Sequence, residues 1–289
     1  MILRRIVYPS RSAKLLLSLT ALLGGCVSPP ERIDQTAEQR AVNDPASLLR
    51  IGDAAASSGD MATATSFYRR ATELQPDNAD AALAYARGLT SDGHTTEAMT
   101  ALRTALARTN DDSAVRIAAA LGKLLVLAHR PSEAVAAFRQ ALTIRPATPG
   151  LLVGLGVALD ASRDFQAAQT AYRQAIALEP ESIAARNNLA LSTALQGDTM
   201  QALASLRSLR NHVAESGGQA SDLATIDGNL ALVYAMRGNM RQAGEAAAGA
   251  ARNTRELAEN MKFYSELAQY APASGALDSS GLAGAAPAD

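Results

Sequence analysis

Few side chains in this chain are equipped for chemistry. Its 289 residues include three histidines and one cysteine. His94 and His129 fall where turns between helices are expected, and His212 falls near the end of a helical stretch. None has a second histidine or a carboxylate at metal-ligand spacing such as H-E-x-x-H, which would set two ligands on one helical face. The stretch Gly150–Gly156 is glycine-rich, but no Lys-Ser/Thr follows it and no strand pattern precedes it, so it does not read as a phosphate-cradling loop. A Gly-x-Ser-x-Gly elbow is absent. Cys26 is the only thiol, which excludes an internal disulfide. The sequence therefore predicts a chain that is not an enzyme, with surface histidines, no metal site and no cofactor.

Composition then limits the elements available to position any site. Apolar residues make up 48% of the chain, but aromatics only 4%, and there is no tryptophan. A core without large rings has to be built from small side chains in close approach. The abundance of alanine suits helix packed on helix. Continuous β-branched runs that would mark a parallel sheet are missing. Of 27 basic residues, four (Arg4, Arg5, Arg11, Lys14) stand in the first 25 positions, which hold no acid; the remaining 23 face 28 acidic residues, a balance of −5. That mildly acidic body argues against nucleic acid as a partner, since phosphate binding needs a basic face.

The first residues read as an address. The four basic groups precede a short apolar run, Leu15 to Leu23, far shorter than the ~20 residues needed to span a bilayer. The following Leu23-Gly24-Gly25-Cys26 resembles the bacterial lipobox: an aliphatic residue, two small residues, then cysteine. The resemblance implies a signal peptide over 1–25, removed by cleavage, with diacylglycerol on the Cys26 thiol and an acylated new amino terminus. Two or more acyl chains make such anchoring stable. By analogy with Gram-negative lipoproteins, Val27 rather than aspartate after the cysteine favours the outer membrane, on its periplasmic side. Residues 26–44, with Pro29 and Pro30, read as a flexible tether.

Behind the tether the chain repeats. Pro146 and Pro180 stand 34 residues apart, and Pro76 closes a similar segment. With the proline at repeat position 32, six segments align: 45–78, 79–112, 115–148, 149–182, 183–216 and 224–257. Glycine or alanine recurs at positions 8, 20 and 27, an aromatic at 24 and glycine at 15; Tyr68, Phe138 and Tyr172 are the aromatics, and Leu102 replaces one. The fifth segment keeps Leu189, Ala190, Gly197 and Ala202 but decays in its second helix. This pattern resembles the tetratricopeptide repeat (TPR). The predicted fold is all-α: a right-handed TPR α-solenoid, since a lone helix–turn–helix unit cannot bury its apolar face and must stack. Residues 258–270 read as a capping helix and 271–289 as a disordered tail.

In TPR proteins, positions 2, 5, 9, 12 and 13 of the first helix line the inner face. Carried onto this chain, the first three repeats give a polar stretch with Asp53, Asp80, Arg87, Arg116 and Lys123. The last three give an apolar stripe: Val153, Val157, Asn187, Leu191, Leu195, Leu232 and Met236. Exposed apolar surface of that kind marks a binding site and fits a helix laid in a groove, unless the capping helix or the tail folds back over it. Asn188 and Asn229 share position 6, where some TPR proteins hold a peptide backbone by side-chain amides and where asparagine is also common in the family consensus.

The early lipobox, the array directly behind it, the block Asn229-Leu230-Ala231-Leu232-Val233-Tyr234-Ala235-Met236-Arg237-Gly238 and the closing Asn260-Met261-Lys262-Phe263-Tyr264 resemble the TadD family, TPR lipoproteins of tight-adherence (Flp) pilus systems. That resemblance implies a scaffold assisting assembly or outer-membrane placement of the pilus secretin, with a secretin subunit or another pilus assembly component as partner. A general cell-envelope TPR scaffold, gathering murein or outer-membrane assembly proteins, is the alternative.

Overall fold

The computed structural model describes residues 44–269, all of which lie in one unit of the chain. The expected signal peptide, Cys26, the tether up to residue 43 and the tail 271–289 lie outside the described residues. Thirteen helices follow one another in the described part. Six hairpins come first: α1 (Pro45–Ser57) with α2 (Met61–Leu74), α3 (Ala79–Ser91) with α4 (Thr95–Leu106), and α5 (Asp112–Leu127) with α6 (Pro131–Ile144). Next are α7 (Pro149–Ala161) with α8 (Phe165–Leu178), α9 (Ile183–Leu195) with α10 (Thr199–Glu215), and α11 (Ala220–Met236) with α12 (Met240–Ala250). A last helix, α13 (Thr254–Gln269), closes the series. Among the described residues there is no strand, and no helix is long and apolar enough to cross a membrane.

Local chemistry sets the helix ends. Asp44, Asp60, Asp164 and Asp198 each accept a hydrogen bond from the backbone N–H three residues on, at 3.0–3.2 Å, which satisfies a donor that the first helical turn leaves orphaned. At the other end, α2, α6 and α8 stop at Leu74, Ile144 and Leu178. Each is followed by a residue outside the helical region (Gln75, Arg145 or Glu179, φ −137 to −127°) and then by proline. Proline forces its predecessor out of the helical region, so the ring ends the helix two residues ahead of itself. In the fifth hairpin Ala214 stands at that position, and α10 runs on to Glu215. The second hairpin also lacks the proline, yet α4 stops at Leu106; the missing ring permits a longer helix without compelling one.

Three boundaries differ from the repeat frame. Asp111 caps Ser113 N–H at 2.9 Å, so α5 starts at Asp112 and absorbs the two extra residues before position 115 as an added turn. The first helix of the sixth hairpin likewise begins at Ala220 rather than 224, and α13 begins at Thr254 rather than 258.

The hairpins close through one recurrent contact, between repeat positions 8 and 24. A Cβ on Gly52 would meet the Tyr68 ring at 2.5 Å, one on Gly122 the Phe138 ring at 2.7 Å, and one on Gly156 the Tyr172 ring at 2.4 Å. In the other three hairpins the same sixteen-residue pairing joins Ala86 to Leu102, Ala190 to Leu206 and Ala231 to Ala247, all buried. Glycine faces a ring and alanine faces an aliphatic side chain, so the combined volume at the contact stays within what a close-packed interior accepts.

Each helix packs on the next, and the first helices of successive hairpins also pack on one another, whereas the second helices make no comparable contact among themselves. The first-helix layer is therefore the shorter, inner side of a curved array. Helix α13 packs on both α11 and α12, as a further first helix would. The apolar interior falls into two main clusters. One joins the second to fourth hairpins; the other joins α9 to α13.

The joint between those clusters is tied by polar groups. Ser192 Oγ on α9 donates to Asp160 Oδ1 on α7 at 2.6 Å, and Tyr172 Oη donates to Asp160 Oδ2 at 2.8 Å. Gln169 Nε2 donates to Gln196 Oε1 at 2.7 Å alongside. Burial pushes the Asp160 carboxyl up to about 6, against the two hydroxyl hydrogen bonds, which favour its ionised form. Burial together with the Asp160 charge holds the Tyr172 phenol well above its ordinary range.

Two predictions follow from these local features. The turn residue at repeat position 15 has positive φ in every hairpin. It is Gly59, Gly93, Gly197 and Gly238 in four of them, but exposed His129 (φ 54°) and Arg163 (φ 64°) in the other two. A Cβ in that region costs about 1 kcal/mol or more, so His129→Gly and Arg163→Gly should each raise stability by up to about 1 kcal/mol in urea denaturation, while Gly93→Ala lowers it. For Asp160, the folded state keeps a proton that the unfolded chain releases from about pH 4, so this residue's contribution worsens as pH rises from about 4 to about 6 and then levels off. Relative to Asp160→Asn, the unsubstituted protein should lose on the order of 1–3 kcal/mol between pH 4 and pH 7, allowing for partial solvent screening. A difference independent of pH would show that this carboxyl titrates normally.

Candidate binding groove

The inner layer of first helices carries the candidate site. Two adjoining cavities lie along it. One, of about 560 Å³, is walled by Leu83 and Arg87 of α3 and by Ala120, Leu124 and Leu127 of α5. The other, of about 460 Å³, runs from Val126 and Leu127 past Val153, Gly154 and Val157 of α7 to Ser182 and Ala184 at the start of α9. They share Lys123 and Leu127, and so form one continuous apolar trough across the second to fifth hairpins. Leu127 stands 74% exposed in the middle of it. The trough's depth beside α7 has a local cause: a Cβ on Gly154 would meet the Phe138 ring at 2.3 Å, so only a glycine lets that helix sit so close to the preceding hairpin.

Charge frames the trough at both ends, with Arg87 and Lys123 beside α3 and α5 and Glu179 near the start of α9. Lys123 and Arg87 make no ion pair among the described residues. Arg116 donates to Asp80 Oδ1 at 2.6 Å, tying α5 to α3. The Asp53 carboxylate accepts from Tyr68 Oη at 2.7 Å, an arrangement in which the ring next to Gly52 passes its hydroxyl through to the inner face. Burial, ahead of the neighbouring carboxylate, raises the Tyr68 phenol above its usual range.

Of the residues expected from sequence, the structure brings Val153 and Val157 to the trough. Leu191, Leu195 and Leu232 are half-buried and pack on the second apolar cluster. Met236 is buried at 4% exposure within the second apolar cluster and does not offer groove surface. Asn187 is also buried, at 5%, with its Oδ1 unpartnered, so it is not an exposed groove residue either. Asn188 and Asn229 are half-buried on α9 and α11, and no hydrogen bond joins them. The apolar centre thus lies two hairpins earlier than the repeat frame placed it.

Leu127 and Leu83 were missed. The signal was present in the run Leu124-Leu125-Val126-Leu127: a helix burying one face needs about half of four consecutive positions to be apolar, and Leu124 and Leu125 alone are buried. The charged Arg116 and Lys123 on the same helix give it a polar pattern in the repeat frame.

None of the three histidines belongs to this groove. His94 Nδ1 lies 3.4 Å from Glu97, His129 occupies its turn, and His212 Nε2 lies 2.9 Å from Glu181. Among the described residues no cluster of histidine, cysteine or carboxylate could hold a metal ion.

Comparison with known proteins agrees with this architecture. Family models described as tetratricopeptide repeat match residues 55–124 and 153–219. A curated relative, the uncharacterized protein y4yS of Sinorhizobium fredii, is 37% identical over 92 residues, which is 32% of this chain and 48% of the relative; the match spans about half of the relative's length. Among solved structures, a tetratricopeptide repeat protein from Parabacteroides merdae superposes with a TM-score of 0.62 at 15% identity, over 76% of this chain and 84% of that one. A chain of the APC/C hetero-tetramer Cut9–Hcn1 gives 0.57 at 18% identity, over 81% of this chain but only 45% of that one. MamA of Desulfovibrio magneticus gives 0.53 at 18% identity, over 61% and 98%. At these identities the likeness to solved structures is one of fold. The described chain is a tetratricopeptide-repeat α-solenoid, an architecture of protein–protein interaction scaffolds and one that is typically non-catalytic.

Proposed function

We propose that this chain is a lipid-anchored scaffold of the cell envelope that holds an apolar segment of a pilus or secretion component in its inner groove, and that it assists assembly or outer-membrane placement of a tight-adherence pilus secretin. The observation that carries the binding part of this reading is the continuous trough around Leu127, a side chain 74% exposed between two apolar cavities. Water contact with such a surface is unfavourable by about 25 cal/mol per Å² of apolar area, which a docked segment recovers. An amphipathic helix with apolar anchors at i, i+3 and i+7 fits a groove floored by helices. Lys123 and Arg87 favour acidic residues beside those anchors.

The envelope part of the reading rests on sequence. Leu23-Gly24-Gly25-Cys26 is the lipidation signal, and the acyl chains on Cys26 would moor the array at the outer membrane. The block Asn229–Gly238 and the segment Asn260–Tyr264 support the tie to tight-adherence pilus systems.

Two linked experiments test this. Metabolic labelling with radioactive palmitate should mark the full-length chain and leave Cys26→Ser unlabelled and released from membranes; labelling of Cys26→Ser would refute the anchor. A photoreactive amino acid replacing Leu127 or Val157 in the native envelope should crosslink a secretin or pilus assembly subunit. The same probe at exposed Ser66 on α2, in the first hairpin, should not. Capture of murein enzymes from Leu127, without pilus components, would overturn the pilus assignment and favour a general envelope scaffold.

A further inference from the structure

The outer face of the fourth and fifth hairpins carries a second opening, unrelated to the inner groove. It is a channel of about 670 Å³ over α9, between α8 and α10, within the ~300–1,000 Å³ range of sites that hold a ligand. It exists because the second helices of successive hairpins are splayed apart by the curvature. The wall on α10 is a regular face: Gln201, Ala204, Ser205, Ser208, Leu209 and His212 recur at i, i+3, i+4, i+7, i+8 and i+11. This is the helix whose repeat signature decays. Leu209 replaces the small residue at position 27, and Ala214 replaces the terminating proline, so that the helix continues past His212 to Glu215.

The chemistry of the channel is one-sided. Arg173 enters from α8, Arg186 from α9 and His212 from α10, while the lining contains no aspartate or glutamate. The hydroxyls of Thr193, Ser205 and Ser208 lie between them, and Ile176, Leu189 and Leu209 supply apolar surface. Arg173 donates only to the neutral Gln169, at 3.0 Å, and makes no ion pair among the described residues. Such a cluster is unusual on a body whose charge beyond the first 25 residues is −5. Glu181, exposed at the channel's edge, shows the kind of group these side chains hold: its Oε1 takes a hydrogen bond from Arg186 Nη2 at 3.3 Å, and its Oε2 lies 2.9 Å from His212 Nε2. One carboxylate from the chain itself already bridges Arg186 and His212.

We propose that this outer channel binds an acidic, extended peptide segment of a partner protein, with Arg173, Arg186 and His212 receiving its carboxylates. The segment is extended because the α10 face from Gln201 to His212 is about 16 Å long at ~1.5 Å per residue, which matches about five residues of extended chain at ~3.3 Å each. Alternating side chains then set apolar groups on the floor and carboxylates at the cationic walls, where charge-assisted hydrogen bonds are the stronger kind. Glu181 acts as an internal competitor for Arg186 and His212. The inner groove and this channel face opposite sides of the array, so two partners, or two parts of one, can be held at once.

The test titrates a fluorescent eight-residue peptide of alternating Glu and Leu into the full-length chain in detergent, beside a counterpart with Gln for Glu. The Glu peptide should bind at least about tenfold more tightly than the Gln peptide. Arg173→Gln and Arg186→Gln, both surface changes, should each weaken it about tenfold, whereas Glu181→Gln should tighten it severalfold by releasing Arg186 and His212. Leu127→Ser, in the inner groove, should leave it unchanged, which separates this proposal from the function assigned to that groove. Equal binding of the two peptides, insensitivity to Arg173→Gln and Arg186→Gln, weakening by Glu181→Gln, or loss on Leu127→Ser would each overturn the proposal. So would displacement by citrate or inorganic phosphate at the same concentration as unlabelled Glu peptide, which would make the channel a site for small anions.

Discussion

Close approach of the two helices within each hairpin is the constraint on which the rest depends. A chain with 4% aromatic residues and no tryptophan cannot fill wide gaps between helices, so it brings backbones together and lets one side chain per hairpin occupy the hole that remains. Where position 8 is glycine, a tyrosine or phenylalanine fills it; where position 8 is alanine, leucine or alanine suffices. Dispersion contacts and apolar burial accumulate in this arrangement only because the interior is close-packed. No hairpin can achieve it alone, since each leaves one face of its helices open until the next is stacked. The curvature, the inner trough and the outer channel all follow from that stacking: first helices touch and form a floor, while second helices diverge and leave gaps.

Much of the architecture was legible because it is written in residue types with single mechanical roles. Pro76, Pro146 and Pro180 mark helix ends through the restriction on the residue before them, and Gly59, Gly93, Gly197 and Gly238 mark the turns. What was not legible were the places where a single local residue added a turn against the repeat frame. Asp111 capped α5 early, and Ala214 left α10 free to continue. The decay of the fifth repeat signature is a departure from consensus on a helix that remains fully formed, with Leu206 and Val213 buried beneath its channel-facing side.

The site was legible by face but not by position. A repeat frame says which side of each first helix looks inward. It does not say how much of that side a neighbour covers. Leu191, Leu195 and Leu232 point into an array that continues through α11 and α13, and that continuation half-buries them; Met236 disappears altogether. Leu127 escapes because its neighbours across the trough are small or absent: Gly150, Gly154 and Ala184. Exposure here depends on what is missing from adjacent helices, information that no single helix's own sequence holds. The polar joint of Asp160, Tyr172, Ser192, Gln169 and Gln196 was equally hidden, because its members come from three helices and no one of them is unusual in its own repeat.

The most direct test of the size-complementarity claim is a thermodynamic double-mutant cycle at one hairpin. Gly122→Ala should destabilise by about 1–3 kcal/mol through overpacking against the Phe138 ring, despite alanine's higher helix propensity. In the Phe138→Leu background, which recreates the alanine–leucine pairing of Ala86 with Leu102, the same change should be neutral or stabilising. A coupling of about 1 kcal/mol or more, measured by urea denaturation, is the result the account requires. Strict additivity of the two substitutions would contradict it.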